Sequence, residues 1–197
     1  EVIGRFYDKF LFGTHPYGRP AGGTETSLRT LKREDVLKFY NSHYAPGQLV
    51  FAAVGDFSSA ELEATLKARL GTWKAKPAAL TPLKEPAPSA GRRALIVDKP
   101  DSTQTFFRFG NVGLAYANPD RVLVDVVNTL FGERFTSMLN RQLRIESGLT
   151  YGARSQFTAS RVPGAFAIAS YTPNDKTERA LDMALEVLEK LHRDGIS

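Results

Sequence analysis

The chain has 197 residues, enough for one large domain or two small ones. Its 42% apolar and 24% charged residues match a globular average, which excludes a disordered tail or a collagen-like fibre. No window approaches the ~18 uninterrupted apolar residues that a bilayer span needs, and the absence of cysteine removes disulfides, thiolate nucleophiles and cysteine-based zinc sites together.

The formal net charge is +5, but the basic residues are spread along the chain and the densest patches, Lys32-Arg33 and Arg92-Arg93, are short. A nucleic acid would need clustered charge, so it is not among the expected partners. The first residues, Glu1 to Phe10, carry neither an initiator Met nor the apolar core of a signal peptide; they read as the middle of a helix, as in a piece of a longer protein.

Val2 to Phe12 has the spacing of an amphipathic helix, broken by Gly13 to Pro20. Arg33 to Tyr44 sets Val36, Leu37, Tyr40, His43 and Tyr44 on one stripe, with Glu34 and Asp35 suited to a helix start. The apolar run Leu49–Val54 fits a buried strand, closed by Gly55-Asp56. Ser58 to Glu61 resembles a capping box and opens a helix with Leu62, Leu66 and Leu70 inward. Then comes Pro77 to Gly91, whose four prolines bar a helix and predict an extended linker. Beyond it, Ala94–Val97 and Thr103–Phe109 are expected strands. Asn118-Pro119-Asp120 reads as a helix start ahead of Leu123, Val126, Val127 and Leu130, and a short helix is expected over Ser137–Arg144. Thr150–Thr158 and Gly164–Tyr171 look like paired strands. Asp175 to Glu178 caps a last helix carrying Leu181, Ala184, Leu188 and Leu191. Without regular βαβ alternation, the fold class is α+β.

The chemistry that spacing alone suggests is sparse. His15, His43 and His192 have no second His one helical turn away, so a self-contained zinc site is not expected; His43 reads as a packed, hydrogen-bonded histidine and His192 as a helix-end cation. No nucleophile elbow, Walker loop or dinucleotide fingerprint is present, and Gly18, Gly22 and Gly23 read as turns.

Three stretches, taken in order, resemble the M16 metallopeptidase family of pitrilysin and mitochondrial processing peptidase. They are Phe12-Gly13-Thr14-His15-Pro16-Tyr17-Gly18 with Gly23 to Leu28; Glu34 to Tyr40 running into His43 to Leu49 and Val54-Gly55-Asp56; and Arg134 to Arg144 followed by Ser147-Gly148-Leu149-Thr150-Tyr151. The resemblance implies LuxS/MPP-like metallohydrolase domains, each a β-sheet flanked by helices. It reads residues 1–75 as the C-terminal part of a first such domain, 76–91 as a Pro-rich linker, and 92–197 as most of a second.

Active members of the family carry H-x-x-E-H and a downstream Glu, whose His and Glu side chains hold zinc. This sequence has no H-x-x-E-H, and Glu1 is not assigned to the downstream ligand. The resemblance therefore implies no metal ligand here and no activity for this chain alone, with zinc expected in a missing part or a partner. What it does imply is an Arg and a Tyr from the half opposite the zinc, matched here by Arg144 and Tyr151, which contact the substrate backbone and stabilise the oxyanion of peptide hydrolysis. Read without the family, the structural roles are preferred: Arg144 as a helix C-terminal cation and Tyr151 as a half-buried strand residue.

The expected partners are a peptide or unfolded polypeptide substrate and a zinc-bearing M16 subunit or second protomer. One alternative is the latter part of a zinc-bearing homodimeric peptidase with H-x-x-E-H upstream; another is a non-catalytic M16-like scaffold subunit. Family members of this kind are often exported, so the resemblance suggests the periplasm or cell envelope.

Overall fold

The computed structural model describes residues 2–88 and 90–196. They form two compact units, residues 22–82 and residues 1–21 with 83–197.

In the smaller unit, α2 (Glu25–Thr30) is held by a reciprocal cap in which the Thr24 hydroxyl accepts from Ser27 N–H and the Ser27 hydroxyl accepts from Thr24 N–H. The sequence reading lacked this helix, although the Thr24–Ser27 spacing carries its signal. Helix α3 (Arg33–His43) begins where Asp35 takes the Lys32 N–H, and near its end His43 stacks on Phe39 at 4.2 Å while its Nδ1 contacts Phe39 O at 3.0 Å. The histidine is hydrogen-bonded as expected, but the Val36, Leu37, Tyr40 and Tyr44 stripe it belongs to is exposed and not packed in a core. In α4 (Ser59–Leu70) the Ser58 hydroxyl accepts from Glu61 N–H, and Leu62, Leu66 and Leu70 form the half-buried stripe.

One expectation fails here. Leu49–Val54 is not a strand, and Val50 is 91% exposed and Val54 fully so. An apolar run becomes a strand only against a neighbouring edge, and among the described residues none pairs with it. The same holds for Ala94–Val97, which is irregular, with Leu95, Ile96 and Val97 all exposed. Residues 73–88 contain neither helix nor strand, as their prolines dictate; Ser89 of this run lies outside the described residues, as do Glu1 and Ser197.

The larger unit is built on an antiparallel sheet in the order β1 (Gln104–Val112), β3 (Ala165–Pro173), β2 (Ala153–Phe157). Phe107 and Ala153 both lie opposite Ser170, and Phe109 and Ser155 opposite Ile168, so even-numbered β3 residues share a face with odd-numbered residues of its neighbours. That face packs on Phe131, Leu139, Leu143 and Leu149 and on the Ala180, Met183, Ala184 and Val187 stripe of α7 (Thr177–Asp194). The opposite face carries Ala165 and Ala167, whose small side chains let α1 (Val2–Phe12) settle with Tyr7, Leu11 and Phe12 against them. The Tyr7 hydroxyl donates to Phe166 O at 2.6 Å. Helix, sheet and helix thus form layers, the α+β arrangement the sequence implied.

Helix α5 (Arg121–Asn128) starts two residues later than expected. The Asn118 side chain takes the Asp120 N–H in a turn of its own (2.8 Å), so Pro119 is not the first helical residue. The face it buries centres on Asn128, leaving Leu123 and Val126 exposed. Helix α7 likewise begins without a side-chain cap, after a tight turn over Asn174–Lys176.

Candidate functional site

The third family-like stretch folds as a single bonded assembly. Ser137 is buried and its hydroxyl accepts from Asn140 N–H at 3.4 Å, capping α6 (Met138–Asn140). The helix continues as a wider coil over Arg141–Glu146, of the i→i+5 kind that recurs at functional sites. Leu139 and Leu143, one turn apart, are fully buried and anchor it to the core.

Gly148 ends the coil in the left-handed region (φ 63°), where a residue without a Cβ meets no penalty. The chain then doubles back, and both Leu149 N–H and Thr150 N–H donate to Leu143 O, at 3.0 and 3.3 Å. Leu149 O accepts from the Thr172 hydroxyl at 2.7 Å, Gly152 O from the Ser170 hydroxyl at 2.9 Å, and Gly152 N–H donates to the Thr150 hydroxyl at 3.1 Å. Residues on both sides of Tyr151 are therefore pinned to the sheet, while Tyr151 itself is 77% exposed and precedes β2.

Arg144 follows the carbonyl that holds this loop, and Tyr151 follows the second of the two residues bonded to it. Its guanidinium lies over the Phe135 ring, 4.6 Å from the centroid, and among the described residues it forms no ion pair. Glu146, two residues on, is bonded to Arg141 at 2.9 Å. Asn140 joins the two sides. Its Nδ2 donates to Arg134 O, next to Phe135, and its Oδ1 accepts from Ala153 N–H, two residues past Tyr151. Residue spacing gave Asn140 no role beyond its place inside the helix expected over Ser137–Arg144.

The histidines do not converge on this assembly. His15 Nδ1 accepts from Tyr17 N–H, which places its proton on Nε2, facing Lys84 O at 2.9 Å. His192 lies in the last turn of α7, as expected. Among the described residues no group of three His, Cys, Asp or Glu could hold a metal ion, so the residues present do not fit zinc.

Among the described residues, a strongly perturbed environment lies elsewhere. Burial pushes the Tyr7 phenol up to about 12, partly opposed by the Arg108 guanidinium 5.2 Å over its ring, and burial also raises the Asp8 carboxyl against the same cation. Arg108 Nε is buried with no hydrogen-bond partner. This cluster serves the seam between α1 and β1, and its signal was an Arg set among Phe106, Phe107 and Phe109.

Fold and site together define an α+β module with no cluster of metal-ligating side chains among its described residues. The chain belongs to the peptidase M16 inactive-domain family, whose profile matches residues 30–197. It is 26% identical to an uncharacterized zinc protease of Mycobacterium leprae, over all of this chain and 44% of that protein. The crystal structure of a peptidase M16 inactive domain from Pseudomonas fluorescens superposes with a TM-score of 0.90 at 28% identity, covering 100% of this chain and 47% of that one. A protease from Helicobacter pylori gives 0.88 at 25% identity, over 99% and 48%. The chain thus spans less than half the length of these relatives. Among the described residues no helix is long and apolar enough to cross a membrane.

Proposed function

We propose that this inactive M16 domain is the zinc-free portion of a zinc-dependent endopeptidase, and that Arg144 and Tyr151 bind the substrate backbone and stabilise the oxyanion of peptide-bond hydrolysis. What supports this is the pair of hydrogen bonds from Leu149 and Thr150 to Leu143 O, which ties the backbone beside Arg144 to the backbone beside Tyr151; the phenol is exposed, and among the described residues the guanidinium forms no ion pair. Both groups donate hydrogen bonds, Arg from a rigid planar fork and Tyr from a single O–H. Donors held in place before the reaction stabilise charge that develops on a carbonyl oxygen, and one such donor is worth roughly 10²–10³ in rate.

In this reading residues 1–75 are the C-terminal part of a first M16-type domain, 76–91 a linker, and 92–197 most of a second. The zinc belongs to the rest of the parent protein or to a second, zinc-bearing subunit, and the substrate is a peptide or an unfolded chain. The test is hydrolysis of fluorescein-labelled casein by the parent protein assembled with its zinc-bearing subunit. Arg144→Ala should lower kcat/KM about 100-fold or more and Tyr151→Phe at least about tenfold, at unchanged zinc content. Activity unaltered in both variants would defeat the proposal and favour a scaffold subunit.

A further inference from the structure

We propose that Phe135 is the positioning residue for Arg144: its ring is the platform that fixes the guanidinium plane, an inference that rests on the oxyanion reading of Arg144. The Arg144 Cζ stands 4.6 Å from the Phe135 centroid, inside the ~6 Å range of a cation–π contact. Phe135 is a large aromatic residue left exposed, yet its backbone is not loose. The preceding carbonyl, Arg134 O, accepts from both Ser137 N–H (3.0 Å) and Asn140 Nδ2 (3.2 Å), so the ring is held from a braced turn.

The chemistry of the contact explains why a ring serves here and a carboxylate would not. A carboxylate takes two of the five guanidinium N–H groups and cancels the charge. A ring face holds the plane through its quadrupole and leaves every N–H, at the edge of that plane, available to a substrate carbonyl. Glu146, the carboxylate two residues along, is engaged by Arg141, which keeps Arg144 for the substrate.

The test is a double-mutant cycle on the assembled parent protein, with fluorescein-labelled casein as substrate. Phe135→Leu should lower kcat/KM roughly 3- to 10-fold, mainly in kcat, and Phe135→Tyr should restore it to within about twofold. In an Arg144→Ala background, Phe135→Leu should have no further effect. A labelled-arginine NMR spectrum should show the Arg144 Nε–H resonance shifted by the ring current, retained in Phe135→Tyr and lost in Phe135→Leu.

An equal loss from Phe135→Leu with and without Arg144, or no loss at all, would overturn the positioning role while leaving Arg144 as the oxyanion donor. An Arg144→Ala variant of full activity would overturn both.

Discussion

Replacing Asn140 with alanine removes the side chain that ties the Phe135 turn to the start of β2. Two hydrogen bonds go with it, one from Nδ2 to Arg134 O at 3.2 Å and one from Ala153 N–H to Oδ1 at 3.1 Å. The two losses differ in weight. Arg134 O keeps its bond from Ser137 N–H, so losing the amide donor costs roughly 0.5–1 kcal/mol. Ala153 is 1% exposed, and its N–H has no route to water without opening the strand; a stranded buried donor costs about 1–3 kcal/mol. Together the change should destabilise the fold by roughly 1.5–4 kcal/mol, a large share of a typical domain's stability. Urea unfolding at constant m-value measures it, and a thermal melt should fall by roughly 5–15 °C. A loss below about 0.5 kcal/mol would refute the claim that Asn140 is the tie between the two segments.

The seam between α1 and the sheet gives a pH prediction. Tyr7 holds its proton more tightly folded than unfolded, so its contribution to stability is fully present below its ordinary value near 10 and is lost as pH rises through about 12. Tyr7→Phe should cost about 1 kcal/mol at neutral pH, from the lost bond to Phe166 O, and should flatten the fall in stability above pH ~10. An alkaline melting profile parallel to that of the unmodified protein would contradict this. Gly132→Ala would set a Cβ 2.6 Å from Ser155 N and 2.7 Å from Leu139 Cδ1, both within the buried core, and should destabilise by at least about 2 kcal/mol in the same urea assay.

Much of the architecture could be read from residue spacing, because helix stripes such as Leu62, Leu66 and Leu70, and the alternation around Phe107, are local patterns. What spacing does not contain is the identity of a strand's neighbour. Leu49–Val54 and Thr103–Phe109 have comparable strand character, and only the second has an edge to join. Local bonding also displaced boundaries, as when Asn118 captured the Asp120 N–H ahead of α5.

The roles proposed for Arg144 and Tyr151 come from resemblance to a family and not from the spacing of the residues. The distinction between Arg141 and Arg144 was invisible in one dimension. The first lies against Glu146 and the second over Phe135 only once the coil and its return turn have formed. Asn140, the tie between those segments, could not be found either, because its two partners lie 6 and 13 residues away on opposite sides.

The central place of β3 sets a timetable for synthesis. It is the last of the three strands in the chain, and both of the others pair with it alone. The β2–β3 hairpin can close across its short connection as soon as it leaves the ribosome, but β1 must wait for it. Helix α1 waits longest, since the bond from Tyr7 to Phe166 spans 159 residues. At ~5–20 residues per second that interval is about 8–30 s, far longer than a helix or hairpin takes to form. For that time the face of α1 that carries Tyr7, Leu11 and Phe12 is without the β3 residues on which it packs, Ala165 and Ala167.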